Sequence, residues 1–246
     1  VWDAAEACGI GRTILVQAAA SAAETDYLLS IARSDPRVAG VVGWLAMDSD
    51  TAVKEIERRA ADRKLLGLRP MIGDIADPSW ILRDEVEPAL RAMASTGLVF
   101  DAHARPDLIS VMETLARRHP DLQIVLNHGG KPPIDSGKLD TWRQDLSSLA
   151  QCGNVACKLS GLLTEAGPAC GDDTIGAVVE TMGACFGAER LIWGSDWPVL
   201  TLASTYQRWA QQSERLINRH FPGKTADIWR SNARRIYLER TSNWPD

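Results

Sequence analysis

A short apolar run, a polar loop and an amphipathic helix recur seven times between residues 12 and 240, and this period constrains the fold more than any other feature. The candidate strands are Arg12–Ala18, Val38–Leu45, Leu65–Met71, Leu98–His103, Gln123–His128, Val155–Ser160 and Leu191–Gly194. Most are near-continuously apolar, as parallel strands buried on both faces must be. Their starts lie 25 to 36 residues apart, the length of one strand plus one crossover helix. The intervening helices carry their own signals. Ser21 and Glu24 have capping-box spacing ahead of Leu28, Leu29 and Ile31. Asp107 can cap a helix with the apolar face Leu108, Met112 and Leu115, which ends at His119-Pro120. Val86, Ala89, Leu90 and Met93 form one stripe before Gly97, and Trp142, Leu146 and Leu149 form another.

Seven consecutive βα units fit a doubly wound open sheet or a closed eight-fold barrel. No GxGxxG or P-loop pattern follows the first strand, which disfavours the nucleotide-binding sheet. The barrel needs eight units in about 250 residues. Here the opening VWDAAEACGIG reads as the end of a helix stopped by glycines, with no strand ahead of it. The expectation is therefore one α/β domain over residues 1–246, a (β/α)8 barrel of the TIM type lacking its first strand. An open barrel exposes two strand edges, so this chain alone is expected to be poorly stable or inactive. Full turnover by the purified chain would contradict that.

Composition excludes several classes of partner. The net charge is −5 with both signs interspersed, so no concentrated positive face awaits nucleic acid. Polar residues break every apolar stretch well short of the ~20 residues of a membrane span, and no secretory signal is visible. Cys8, Cys152, Cys157, Cys170 and Cys185 show no CxxC spacing; an odd set of thiols suits a reducing compartment, by default the cytoplasm.

Barrel chemistry gathers at the C-terminal ends of strands. Those ends carry Arg69, then His103 and Arg105, then His128 and Lys131, then Lys158, Ser160 and Glu165, and finally Asp196. His128 ends an apolar strand before two glycines and can bind a metal or polarise a carbonyl. Asp196, in Gly-Ser-Asp-Trp-Pro, can take a proton from water; equally, it can cap a helix near Ser204 or make an Asx-turn. His103 either lines the pocket or packs beside it. Arg69 and Lys131 can hold the polar groups of a substrate or form rim salt bridges, and Trp197 can wall the pocket. His119 and His220 sit near helix ends and read as structural.

The segments TILVQAAASAAETDYLL, VAGVVGWL, LLGLRPM, DPSWILR, IVLNHGGKPPI, CKLSGLLTEA, LIWGSDWPV and NARRIYL occur in one order along the chain. Together they resemble the amidohydrolase-related lactonases, the group that includes L-fuconolactonase, L-rhamnonolactonase-like enzymes and, more distantly, 2-pyrone-4,6-dicarboxylate lactonase. The resemblance implies an eight-fold barrel and hydrolysis of a sugar-acid lactone in carbohydrate metabolism. It implies that the histidine matched by His128 polarises the lactone carbonyl or binds a divalent metal, zinc first, with Asp196 as the second ligand of a partial site. It implies that Asp196 is the general base toward water. The small-molecule lactone is the partner so implied. Other activities of the superfamily, a metal-dependent decarboxylase or an amide hydrolase, and an inactive barrel stand as alternatives. The chain departs from the family in three places. It has no His-x-His pair, only His103, His119, His128 and His220; Asn127 stands where relatives lead one to expect Asp; and the stretch after TEA is GPACGDD.

Overall fold

The computed structural model of the chain describes residues 2–167 and 170–239. Each of the seven apolar runs is a strand: β1 (Thr13–Val16), β2 (Val38–Gly43), β3 (Leu65–Leu68), β4 (Val99–Ala102), β5 (Ile124–Leu126), β6 (Val155–Leu159) and β7 (Leu191–Trp193). They form one parallel sheet in the order β1-β2-β3-β4-β5-β6-β7, so each pairs with its sequence neighbour. A doubly wound sheet would reverse its order partway.

Curvature follows from packing. Val42, Leu66, Val99, Val125, Ala156 and Ile192, one residue from each of β2 to β7, belong to a single buried cluster, with Ile14 and Val16 of β1 packed against it. Side chains from all seven strands can share one cluster only on the concave face of a sheet curled as in a barrel. Among the described residues no strand joins β1 to β7. Ile236 and Tyr237, from a last helical segment of π-helical turns (Asp227–Ser231 and Arg234–Leu238), fill the same cluster.

The outer layer is helical: α1 (Trp2–Glu6), α2 (Ala22–Ser34), α3 (Ala52–Ala60), α4 (Glu87–Thr96), α5 (Ile109–Arg118), α6 (Asp140–Ala150), α7 (Leu162–Ala166), α8 (Asp172–Phe186) and α9 (Tyr206–His220). The stripes read from the sequence are the buried faces, Ala89, Leu90 and Met93 on α4 and Trp142, Leu146 and Leu149 on α6. The opening segment is the expected helix end, α1 followed by Gly9 at φ 74°. Among the described residues no helix is long and apolar enough to cross a membrane.

Two capping expectations change. Asp107 does not cap α5: its carboxylate pairs with Arg105 at 3.1 Å, and a 3-10 turn over Pro106–Leu108 leads into the helix instead. Ser21 Oγ does accept from the Glu24 N–H at 3.4 Å, but the Glu24 carboxylate turns to the N–H groups of Ala18 and Ala19. That carboxylate pins the loop after β1 rather than closing the reciprocal box.

The observed strands are shorter than the candidates mainly at their C-terminal ends. Ladder pairing stops at Leu68, Ala102 and Leu126, so Arg69, His103 and His128 lie just past the sheet.

Candidate active site

The turn after β5 aims His128. Asn127–Gly130 is a tight turn in which His128 (φ 54°), Gly129 (φ 61°) and Gly130 (φ 71°) are left-handed, and Lys131 (φ 53°) follows suit. A left-handed non-glycine residue costs on the order of 1 kcal/mol or more, so the surroundings must enforce it. They do: Trp142 of α6 donates its indole N–H to the Gly129 carbonyl at 2.8 Å. His128 Nδ1 lies 2.9 Å from the hydroxyl of Ser160, the residue after β6. Gly161, at φ 66°, is required beside it, because a Cβ there would fall 2.6 Å from His128 Nδ1.

Asp196 is delivered in the same manner from β7. It too is left-handed, at φ 57°, ahead of a cis Trp197–Pro198 bond. Trp209 of α9 donates to the Gly194 carbonyl at 2.9 Å, and the Asp196 carbonyl accepts from the Leu200 N–H at 2.8 Å. The carboxylate caps no helix, since Thr205 caps α9 by accepting from the Arg208 N–H.

These turns bring Asp196 Oδ1 to 3.7 Å from His128 Nε2, with both side chains largely buried. That gap exceeds a hydrogen bond and leaves both atoms free to share a third partner. Burial raises the Asp196 carboxyl to about 6, against the opposing pull of Arg69 and Lys131. Burial, reinforced by the positive charge of Lys158, holds His128 well below the ordinary imidazole range, so its ring is neutral.

The other sequence candidates fall around this pair. The His103 ring stands edge-on to His128 with centroids 6.2 Å apart; its buried Nδ1 has no partner, and burial brings it down to about 4. Arg69 donates one guanidinium N–H to the Gln17 carbonyl after β1, while its buried Nε has no partner. Lys131 lies 3.9 Å from Glu165 at the rim. Trp197 is 46% exposed at the mouth. Asn127 is buried with its amide Nδ2 unpartnered. In the stretch 167–173, positions 168 and 169 lie outside the described residues. His119 is structural, 3.0 Å from Glu87 of α4.

A divalent metal finds too few donors among these residues. Among the described residues no three His, Cys, Asp or Glu side chains converge on a common point. His128 and Asp196 supply two, zinc sites take three or four protein ligands, and Arg69, Lys131 and Lys158 crowd the pair with positive charge. The described donors alone do not fit the ion.

Asp101 and Tyr237, absent from the strand-end residues read in the sequence, meet Lys158, which is among them, inside the barrel: Lys158 Nζ lies 2.8 Å from each oxygen of Asp101, and the Tyr237 hydroxyl donates to Asp101 at 2.9 Å. The signal was a single charge inside each of two buried strands, VFDA and VACKL, since buried charges need partners.

A parallel barrel-type sheet with its polar groups gathered past the C-terminal strand ends defines the class. The family model described as Amidohydrolase matches residues 4–238, and the chain belongs to that family. It is 42% identical over 239 residues to an L-fucono-1,5-lactonase of Burkholderia ambifaria, a match covering 95% of this chain and 82% of the relative. An L-fucono-1,5-lactonase of Burkholderia multivorans is 32% identical over 243 residues, covering 93% and 81%. Among solved structures, an amidohydrolase from Burkholderia multivorans with bound zinc superposes with a TM-score of 0.89 at 30% identity, covering 96% of this chain and 86% of that one.

Proposed function

We propose that the protein hydrolyses the cyclic ester of a sugar-acid lactone to the open hydroxy acid, with L-fucono-1,5-lactone the first candidate substrate. The observation that carries this reading is the buried pair of a raised Asp196 and a neutral His128, 3.7 Å apart, in a chain 42% identical to an L-fucono-1,5-lactonase. Asp196 takes a proton from water, and the resulting hydroxide attacks the lactone carbonyl. A general base works best near the operating pH, and burial has moved this carboxyl toward it. In this mechanism the neutral His128 carries its proton on Nε2, which faces the carbonyl oxygen as negative charge collects there, while Nδ1 accepts from the Ser160 hydroxyl 2.9 Å away. Arg69 adds positive charge beside it. When the intermediate collapses, the ring C–O bond breaks and Asp196 returns its proton to the departing oxygen, leaving a hydroxyl and a carboxylic acid that releases its proton to solvent. Lys131 and Trp197 at the rim contact the sugar hydroxyls and ring.

His128 and Asp196 are the two donors that this chain would offer an ion such as the zinc of the solved relative, short of the three or four that a zinc site takes, so no step here runs through a metal. The same reading takes residues 1–246 as a single barrel domain, supported by one core from Leu29 to Ile228. It places the protein in the cytoplasm, where its five free cysteines suit a reducing medium.

The test is acid release from a panel of aldonolactones followed with a pH indicator, with and without chelator. Release from L-fucono-1,5-lactone, abolished in His128→Ala and Asp196→Asn, supports the assignment. Absence of release from every lactone by the unaltered protein, expressed at its full natural length, refutes it.

A further inference from the structure

The barrel interior contains a buried charge cluster that the steps above leave unused. Asp101 of β4 is fully buried, and both its oxygens receive the Lys158 ammonium of β6 at 2.8 Å. The hydroxyl of Tyr237, 136 residues further along the chain from Asp101, donates to the same carboxylate at 2.9 Å. Tyr237 is wedged among the apolar side chains of the strands, so the last helical segment reaches through the barrel to this carboxylate.

Such a cluster is an expensive way to fill a core. Desolvating an ion pair offsets most of its attraction, and apolar residues of similar volume commonly do as well. Its orientation supplies a reason. The Lys158 side chain is 12% exposed while Asp101 is 0% exposed, so solvent reaches the cluster at its lysine end. An ammonium has three donors. Two serve Asp101, and among the described residues the third has no hydrogen-bond acceptor. Lys158 stands two residues before Ser160, the partner of His128 Nδ1, so both side chains project from the same face of β6, and Lys158 exerts the largest charge effect on His128. The charged groups acting on Lys158 come from separate elements: Asp101 of β4, Arg69 after β3 and Asp196 after β7.

We infer that Lys158 is a fixed cation of the hydrolytic site whose free N–H stabilises the negative charge on the lactone carbonyl oxygen, with Asp101 and Tyr237 as its positioning residues; this rests on the lactonase reading. The step moves no proton through Lys158. The ammonium keeps its three hydrogens while water, Asp196 and the ring oxygen exchange theirs. Burial pulls Lys158 down from the ordinary lysine range, and the Asp101 carboxylate opposes that shift and favours the ammonium form.

The experiment measures kcat, KM and the pH–rate profile on L-fucono-1,5-lactone for the unaltered protein, Lys158→Met, Lys158→Arg, the double variant Asp101→Asn/Lys158→Met and Tyr237→Phe, with melting curves for each. The double variant removes both charges together and leaves no unpaired buried ion, the chief penalty of Lys158→Met alone. Expected is a kcat loss of roughly 100-fold or more in the double variant with KM changed only a few-fold, the scale of one lost transition-state donor. Lys158→Arg, which keeps the charge, retains more activity than Lys158→Met. Tyr237→Phe weakens the support of Asp101 and moves the alkaline limb of the profile to lower pH. A folded double variant with kcat close to that of the unaltered protein overturns the inference and leaves the lactonase reading standing. A lowered melting point in Tyr237→Phe with an unmoved alkaline limb overturns the positioning role. Lack of turnover by the unaltered protein, expressed at its full natural length, overturns the lactonase reading and this inference with it.

Discussion

The two ends of the barrel treat buried polar atoms in opposite ways. At the N-terminal ends of the strands, single side chains each serve several carbonyls. The Asn154 amide serves the carbonyls of Ala116, His119 and Leu122, and Arg190 serves those of Ala150, Cys152, Val155 and Phe186. Asn232 bridges Ala188 and Leu191. At the C-terminal mouth, Arg69 Nε, His103 Nδ1 and Asn127 Nδ2 are buried without partners, and all three left-handed non-glycine residues of the described chain, His128, Lys131 and Asp196, stand there. His119 Nε2, His220 Nε2 and Trp229 Nε1 are also buried without a hydrogen bond, although the Glu87 carboxylate stands 3.0 Å from His119. A buried polar atom without a partner costs roughly 1–3 kcal/mol. One end thus secures the fold, and the other keeps groups unsatisfied and strained where a polar ligand can engage them.

The largest test of that contrast is Asp196→Asn. We expect kcat to fall by about 10²–10⁴-fold, the range for a lost general base. Stability should move the other way. Because the folded carboxyl is raised from 3.8 to about 6, the ionised form destabilises the fold at and above that pH. The Asn variant should melt above the unaltered protein at pH 8, and its advantage should close as pH falls from about 6 to 3.8. A lower melting point at pH 8 would break the comparison. Arg190→Met attacks the opposite end. It should lose about 2–4 kcal/mol in urea denaturation, several carbonyls losing their donor at once, with the folded fraction keeping its kcat.

Gly161→Ala should lower kcat by roughly tenfold with a modest drop in melting temperature, since its methyl group would displace His128 from Ser160 at a left-handed position. An undiminished kcat would mean that the Ser160 contact does not orient the ring. Acid sharpens the picture further. His103 is lowered from 6.5 to about 4, so the unfolded chain takes up the proton first and the fold loses stability as pH falls through that window. His103→Asn should flatten the loss between pH 6.5 and 4, visible in melting curves. The smallest effect belongs to Trp197→Ala: KM should rise a few-fold without a change in melting temperature, as 46% of this residue already faces solvent.

The seven strands were legible because each is a run of apolar residues buried on both faces, a property written locally in the chain. His128 and Asp196 were legible as lone polar residues beside glycines at strand ends. Asp107 was misread as a cap because Arg105, two residues back, competes for its carboxylate. Lys131 was left between substrate contact and rim salt bridge, and its approach to Glu165 depends on how two loops fold over the mouth.

The sequence by itself determined the βα period, the parallel sheet and which strand ends carry the candidate side chains, since hydrophobic periodicity and glycine turns act over a few residues. Only the tertiary structure decided that His128 Nε2 and Asp196 stand 3.7 Å apart, that their charges are shifted by burial, and that Tyr237 reaches Asp101 to hold Lys158. Each of these depends on residues tens to more than a hundred positions apart meeting in a low-dielectric interior, where one neighbour changes what a side chain can do.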